Sequence, residues 1–221
     1  MKLLRAILLP TALIVAGCQS TSPGIDSGIA GRTGPEVIQA EGPYADAASG
    51  FTFPVSIGDF VRTDLSRDNV NPGGTVAGYK APPAKGGPLA VIFIYPVTWL
   101  ERSPGTAASC DTEFQANKEA ITRTRRSARL VSERRGAFGP DAVMEMAEFE
   151  YSHMFDGEVR PLSSRVYLFC MADTGWILKL RFSAPMGVEW SRTLAPFEKE
   201  LTGPWSMKRP VRLSLDALPG T

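Results

Sequence analysis

The chain has 221 residues, 43% of them hydrophobic and 21% charged, with 24 Lys+Arg against 23 Asp+Glu. That balance excludes a globally basic nucleic-acid binder and a highly charged disordered chain. It leaves enough residues for one domain with a sizeable core. No nucleic acid is expected as a partner.

Lys2 and Arg5 open the chain, and Ala6 to Ala16 is then an almost unbroken apolar run. A basic start, a short apolar core and small residues at its end predict a secretory leader over residues 1–17. The run is too short for a membrane span, which needs about 20 apolar residues. Its end, Val15-Ala16-Gly17-Cys18, resembles the lipobox of bacterial lipoproteins. The resemblance implies cleavage between Gly17 and Cys18 and attachment of a diacylglyceryl group to the Cys18 thiol. Two or three acyl chains hold a protein stably at a membrane, where one binds reversibly. With Lys2 and Arg5 removed the mature chain carries 22 basic against 23 acidic residues. Gln19, where an aspartate would favour inner-membrane retention in enteric lipoproteins, leans the expected location to the outer membrane, facing the periplasm. The expected partners are membrane lipid, through acylated Cys18, and an envelope protein.

Gln19 to Gly50 is rich in Gly, Pro, Ser, Thr and Ala and poor in large apolar residues, so residues 18–50 are expected to be the lipidated cysteine and a flexible tether. A single domain is predicted over 51–209, followed by a tail over 210–221. Phe51, Phe53 and Val55 alternate with Thr52, Pro54 and Ser56, as a first or edge strand would. Phe60–Thr63 predicts a short strand. Asn-Val-Asn-Pro-Gly-Gly over 69–74 predicts a turn, and Val76–Lys80 the next strand. Leu89–Tyr95 (LAVIFIY) predicts a central strand covered on both faces.

A helix is expected from an N-cap at Ser109 to near Arg129, with Phe114, Asn117, Ile121, Thr124 and Ala128 on a narrow inner stripe. Leu130–Arg135 reads as a strand. In the next strand Val143, Ala147, Phe149 and Tyr151 share one face, and Met144, Met146, Glu148 and Glu150 the other. Asp156-Gly157 predicts a hairpin turn. Arg165–Met171 and Trp176–Phe182 form a second hairpin. A three-residue loop there, with Gly175 left-handed, would set Cys170 opposite Leu178 and Leu168 opposite Leu180. Glu189–Leu201 predicts a second helix with Trp190, Leu194, Phe197 and Leu201 inward.

The order of elements predicts an α+β domain with a mainly antiparallel sheet and flanking helices. FTFPVSIGDFVR, then VAGYK, then LAVIFIYP before the first helix, and a final hairpin before the last helix, resemble the PsbP-like fold. Fold alone does not assign function.

Three cysteines occur. Beside Cys18, Cys110 and Cys170 either pair as a disulfide, which an exported compartment permits, or stand as two separate buried thiols. His153 is the only histidine, so no multi-histidine metal site is expected, and Ser152 and Asp156 match no triad spacing. Arg123, Arg125, Arg126 and Arg129, with Arg134 and Arg135 beyond, form the one charge cluster. It reads either as an anion-binding patch or as a solvated helix face. Asp64 with Asp68, or Glu145, Glu148 and Glu150, are weighed as paired carboxylates and read as the wet side of strands. Met144 and Met146 read as core. No catalytic residue, metal or cofactor is assigned. The expected function is a membrane-anchored, non-enzymatic binding or accessory module of the cell envelope. The alternatives are an envelope hydrolase and a hydrophobic-ligand carrier.

Overall fold

Side chains alternate across a strand, so a strand with apolar residues on both sides needs cover on both. Here each face of the sheet receives one helix. The computed structural model describes residues 34–82, 87–96, 107–137, 142–171 and 175–200. Two short strands, β1 (Tyr44–Ala45) and β2 (Thr52–Phe53), pair with each other. The main sheet holds β3 (Ser56–Ile57), β4 (Phe60–Arg67), β5 (Thr75–Lys80), β6 (Leu89–Pro96), β7 (Arg129–Ala137), β8 (Ala142–Phe155), β9 (Glu158–Met171) and β10 (Trp176–Pro185). Helix α1 (Ala107–Thr124) lies between β6 and β7 in sequence, and α2 (Trp190–Glu200) follows β10. The strand order is β3-β4-β5-β6-β10-β9-β8-β7, antiparallel at every pairing. Two antiparallel runs therefore meet at β6 and β10, and α1 carries the chain to the far edge. The class is α+β.

Under α2 lie Ile92 and Ile94 of β6, Leu178, Leu180 and Phe182 of β10, Tyr167 and Phe169 of β9, and Met144 and Met146 of β8. Trp190, Leu194 and Phe197 stand at helical spacing on the buried side of α2. Phe197 meets Phe60 and Phe182 nearly edge-on, with centroids 4.9 and 4.8 Å away. Burying such a ring stabilises by roughly 1.5–3 kcal/mol. Gly58 has φ +56°, and a Cβ there would sit 2.7 Å from Pro196 Cβ, so glycine lets this turn close against α2. Under α1 lie Ala147, Phe149 and Tyr151 of β8, Leu162, Val166 and Leu168 of β9, and Ile177 of β10, with Phe114 and Ile121 pointing down from the helix. Cys110 of α1 is bonded to Cys170 of β9, Cα to Cα 6.0 Å, tying the helix to the sheet.

Several expectations change. Residues 34–50, read as tether, are held against β4 and β5. Ile38 N–H donates to Leu65 O and Arg67 N–H to Glu36 O, each at 2.9 Å, and Val37 bridges Ser66. Arg62 donates to Ala40 O, Gly42 O and Phe53 O at 2.7–2.9 Å. Asp46, 1% exposed, accepts from Ser49, Arg67 and Thr75. The segment covers backbone groups that a bare edge strand would expose. Such hydrogen bonding is invisible to composition.

Helix α1 begins at Ala107, two residues before the expected cap, and ends at Thr124 rather than Arg129, where Arg125 and Ala128 close a turn. Asp156 and Gly157 both have positive φ, at 49° and 84°, and Phe155 pairs Glu158, as a two-residue hairpin turn requires. The β9–β10 register differs by one from expectation. Four residues, not three, separate Met171 from its partner Trp176, so Cys170 opposes Ile177 and Leu168 opposes Lys179. A one-residue shift changes which side chains share a face. Lys179 and Arg181 thereby join Leu168 and Val166 on the α1 side. Leu201, the tail and the leader lie outside the described residues. No helix among the described residues is long and apolar enough to cross a membrane.

Candidate functional site

Strand β10 alternates Leu178, Leu180 and Phe182 toward α2 with Lys179, Arg181 and Ser183 toward α1. Helix α1 lies over β8, β9 and the start of β10. Toward β5, Val76, Leu89, Val91 and Phe93 on this same face are half-buried. Two cations therefore stand beside a partly covered apolar floor.

Donor counting directs the hydrogen bonds around Arg181. Ser164 Oγ donates to Phe182 O at 2.7 Å, so the Ser164–Ser183 contact at 3.0 Å must run from Ser183. Ser183 then accepts from the Tyr151 hydroxyl at 3.2 Å, and Tyr151 accepts from Arg181 Nη2 at 3.3 Å. The chain runs from the guanidinium to a backbone carbonyl, and every hydroxyl proton is used. Burial pushes the Tyr151 hydroxyl up, but the Arg181 charge and the hydrogen bond from Arg181 work the other way and leave it below its ordinary value.

A second guanidinium approaches the same phenol. Arg125 follows the last turn of α1, with its Cζ 6.0 Å from the Tyr151 ring centroid. Its Nε is buried without a hydrogen-bond partner. His153, half-buried two residues along β8, has its ring 6.4 Å from that of Tyr151. Burial, then the charges of Arg125 and Arg181, hold its imidazole below the ordinary value.

Lys179 lies on the other side of Arg181. Its Nζ sits 4.0 Å from the Phe93 centroid and 5.5 Å from that of Tyr95, and donates to Asn117 Oδ1 at 3.0 Å. Asn117 Nδ2 and the Tyr95 hydroxyl both donate to Glu113 Oε1, at 2.9 and 2.8 Å. Burial, with Arg181 adding, pushes the Lys179 ammonium down to about 8, against the opposing pull of Asp68 and Glu113. Among the described residues neither Lys179, Arg181 nor Arg125 forms an ion pair with a carboxylate.

The long β8–β9 hairpin supplies a wall. Lys80 of β5 reaches Asp156 at its tip, 2.6 Å away, although β6 and β10 lie between β5 and β9 in the sheet. The tip must therefore curl over the α1 face. Phe155, beside that tip, is buried in the same cluster that Leu89 packs against.

The arginine cluster read from sequence does not stay together. Arg123 faces Glu119 at 3.9 Å, Arg129 pairs with Glu150, and Arg126 is exposed. Arg135 bonds Asp111 at 2.6 Å and approaches buried Glu145 at 3.7 Å. Only Arg125 turns toward Arg181. Burial and the neighbouring Asp111 push Glu145 up to about 7, while the bond from Glu145 and the charge of Arg135 hold Asp111 below its ordinary value. Of the two carboxyls, Glu145 is therefore the one that keeps its proton to higher pH.

The other carboxylates have structural partners. Glu148 accepts from Trp190, Ser163 and Arg165. Asp68 accepts from Val70 and Asn71 and builds the β4–β5 turn. Asp64 accepts from Thr63 and lies over Gly78. Met144 and Met146 are core residues, each 2% exposed. Among the described residues no three of His, Cys, Asp and Glu converge as metal ligands would. Cys18 and Gly17 lie outside the described residues. Sequence reasoning missed Tyr151, Ser164, Lys179, Arg181 and Ser183 as a group. The available signal was a pair of cations two positions apart on an otherwise apolar strand.

Compared with known proteins, the chain matches no family model, no curated protein and no solved structure.

Proposed function

We propose that this protein is a membrane-anchored lipoprotein of the cell envelope, held by acylated Cys18 on the periplasmic side of the outer membrane, and that it works as a non-enzymatic binding module. The observation that carries the binding role is the α1 side of the sheet. There Lys179, Arg181 and Arg125 stand without carboxylate partners beside half-buried Leu89 and Val91. Partly buried cations that no carboxylate pairs with directly favour an anionic partner. The Val15-Ala16-Gly17-Cys18 motif supports the anchor. Because residues 34–50 pack on the domain, a tether would be confined to residues before Gly34. An antiparallel sheet between two helices fits the PsbP-like arrangement, which we propose as the finer fold type. A hydrophobic-ligand carrier is the second reading, favoured by the half-buried Leu89 and Val91.

Two measurements test this. Mass spectrometry of the protein from its native host is expected to show Cys18 as the acylated first residue; a bare thiol or a retained leader removes the anchor. Photo-crosslinking in living cells from position 91 is expected to give a reproducible adduct that weakens when Arg181 becomes Glu. Adducts from exposed Val55 but none from position 91 would place binding on another surface.

A further inference from the structure

We propose that the α1 side of the sheet holds a small amphiphilic anion, with its oxyanion head between Arg125 and Arg181 at Tyr151 and its apolar stem on Leu89 and Val91. This deepens the binding-module reading and rests on it.

The head site is built by two guanidiniums that converge on one phenol. Arg181 uses one N–H on Tyr151, and a guanidinium has five donors. Arg125 has a buried Nε with nothing to donate to. An unmet buried donor on a cation costs more than a neutral one, and a carboxylate or phosphate oxygen is the acceptor that offsets it best. The phenolic proton is already donated to Ser183, so Tyr151 gives the anion no donor of its own and serves to hold Arg181 in place.

The stem follows from register. Val91 stands opposite Arg181 and Leu89 opposite Ser183 on the neighbouring strand, on the same face. Cross-strand neighbours on one face lie about 5 Å apart, within reach of a short apolar group leaving the head. The hairpin tip, latched by Lys80–Asp156, closes one side and α1 the other. The charged groups facing this space are Lys179 and Arg181 of β10, Arg125 after α1, Lys80 and Asp156 as a pair, Asp64 over Gly78, Asp68, which pulls on Lys179 while bonded to Val70 and Asn71, and Glu113, which is bonded to Tyr95 and Asn117. Cations without carboxylate partners are gathered at Arg125, Arg181 and Lys179.

The single histidine makes the site readable, because His153 feels both arginines. The full chain, carrying no polyhistidine tag, is placed in phosphatidylcholine nanodiscs and the His153 ring proton is titrated by NMR. The probes are inorganic phosphate, phenyl phosphate and hexanoate. An anion between the arginines removes their effect on the imidazole, so phenyl phosphate or hexanoate is expected to raise the His153 pKa by about half a unit. The preferred of the two separates a phosphate from a carboxylate head. Arg181→Gln is expected to weaken binding at least about tenfold and abolish the shift, while Arg181→Lys retains part of both. Arg126→Gln, at an exposed position, is expected to change neither.

Inorganic phosphate acting as strongly as phenyl phosphate would overturn the stem. Equal binding by the wild type and Arg181→Gln would overturn the head site. No shift with any probe, while the position-91 adduct persists in cells, would overturn this inference and leave the binding-module reading standing. No shift and no adduct would remove both.

Discussion

Replacing Glu145 with glutamine tests the electrostatics beneath α1. Glu145 is 2% exposed and leans on Asp111 and Arg135. Its carboxyl is pushed from 4.5 to about 7. At 1.36 kcal/mol per unit this corresponds to roughly 3 kcal/mol, which solvent around half-exposed Asp111 and Arg135 reduces to about 1–2 kcal/mol. The folded-state value lies above the unfolded one. The contribution is therefore fully present below the unfolded value near 4.5 and is lost as pH rises through about 7. Asp111 is shifted the opposite way, so its contribution is present above its ordinary value and lost only in more acid solution. Glutamine copies the protonated form and does not titrate. The assay is urea unfolding at half-unit steps from pH 5 to 8.5, with the variant compared to wild type at each step so that unrelated groups cancel. Glu145→Gln is expected to gain about 1 kcal/mol on wild type between pH 5.5 and 8. A difference that stays flat across this range, or falls as pH rises, would show that the Glu145 carboxyl is not raised.

Three further outcomes follow from particular contacts. The Cys110–Cys170 bond spans a sequence separation of 60, and replacing both by serine is expected to cost about 4 kcal/mol by chain entropy, read as a lower urea midpoint. Asp46→Ala leaves Thr75 and Arg67 without their buried acceptor and is expected to cost about 2 kcal/mol. Faster hydrogen exchange at Ile38 and Arg67 would show the segment over 34–50 lifting from β4; unchanged exchange would mean that Asp46 does not hold it. Gly58→Ala needs a side chain at φ +56° and pushes a methyl to 2.7 Å from Pro196, so a loss of about 2 kcal/mol is expected in denaturant unfolding.

Local patterns carry most of the elements. The Asp156-Gly157 turn follows from two residues that tolerate positive φ, and the Val76–Lys80 and Leu89–Tyr95 strands follow from β-branched and aromatic runs. Trp190, Leu194 and Phe197 announce the inner side of α2 by spacing alone. The candidate site was much less legible. An arginine run in sequence looks like one patch, yet its members diverge to Glu119, Glu150, Asp111 and Tyr151. Side-chain length lets neighbours in sequence find partners on different elements.

By itself the sequence determined the α+β class, the order of the long strands and helices and which residues within each long strand share a face, because those depend on periods of 2 and 3.6 residues. Only the tertiary structure decided that β10 inserts beside β6, that Cys110 reaches Cys170, and that residues 34–50 cover the edge of β4. It also decided the β9–β10 register, and with it the side on which Lys179 and Arg181 stand. The reason is common to all four. Each depends on groups far apart in the chain, and local propensity holds no information about which distant backbone or side chain will meet it.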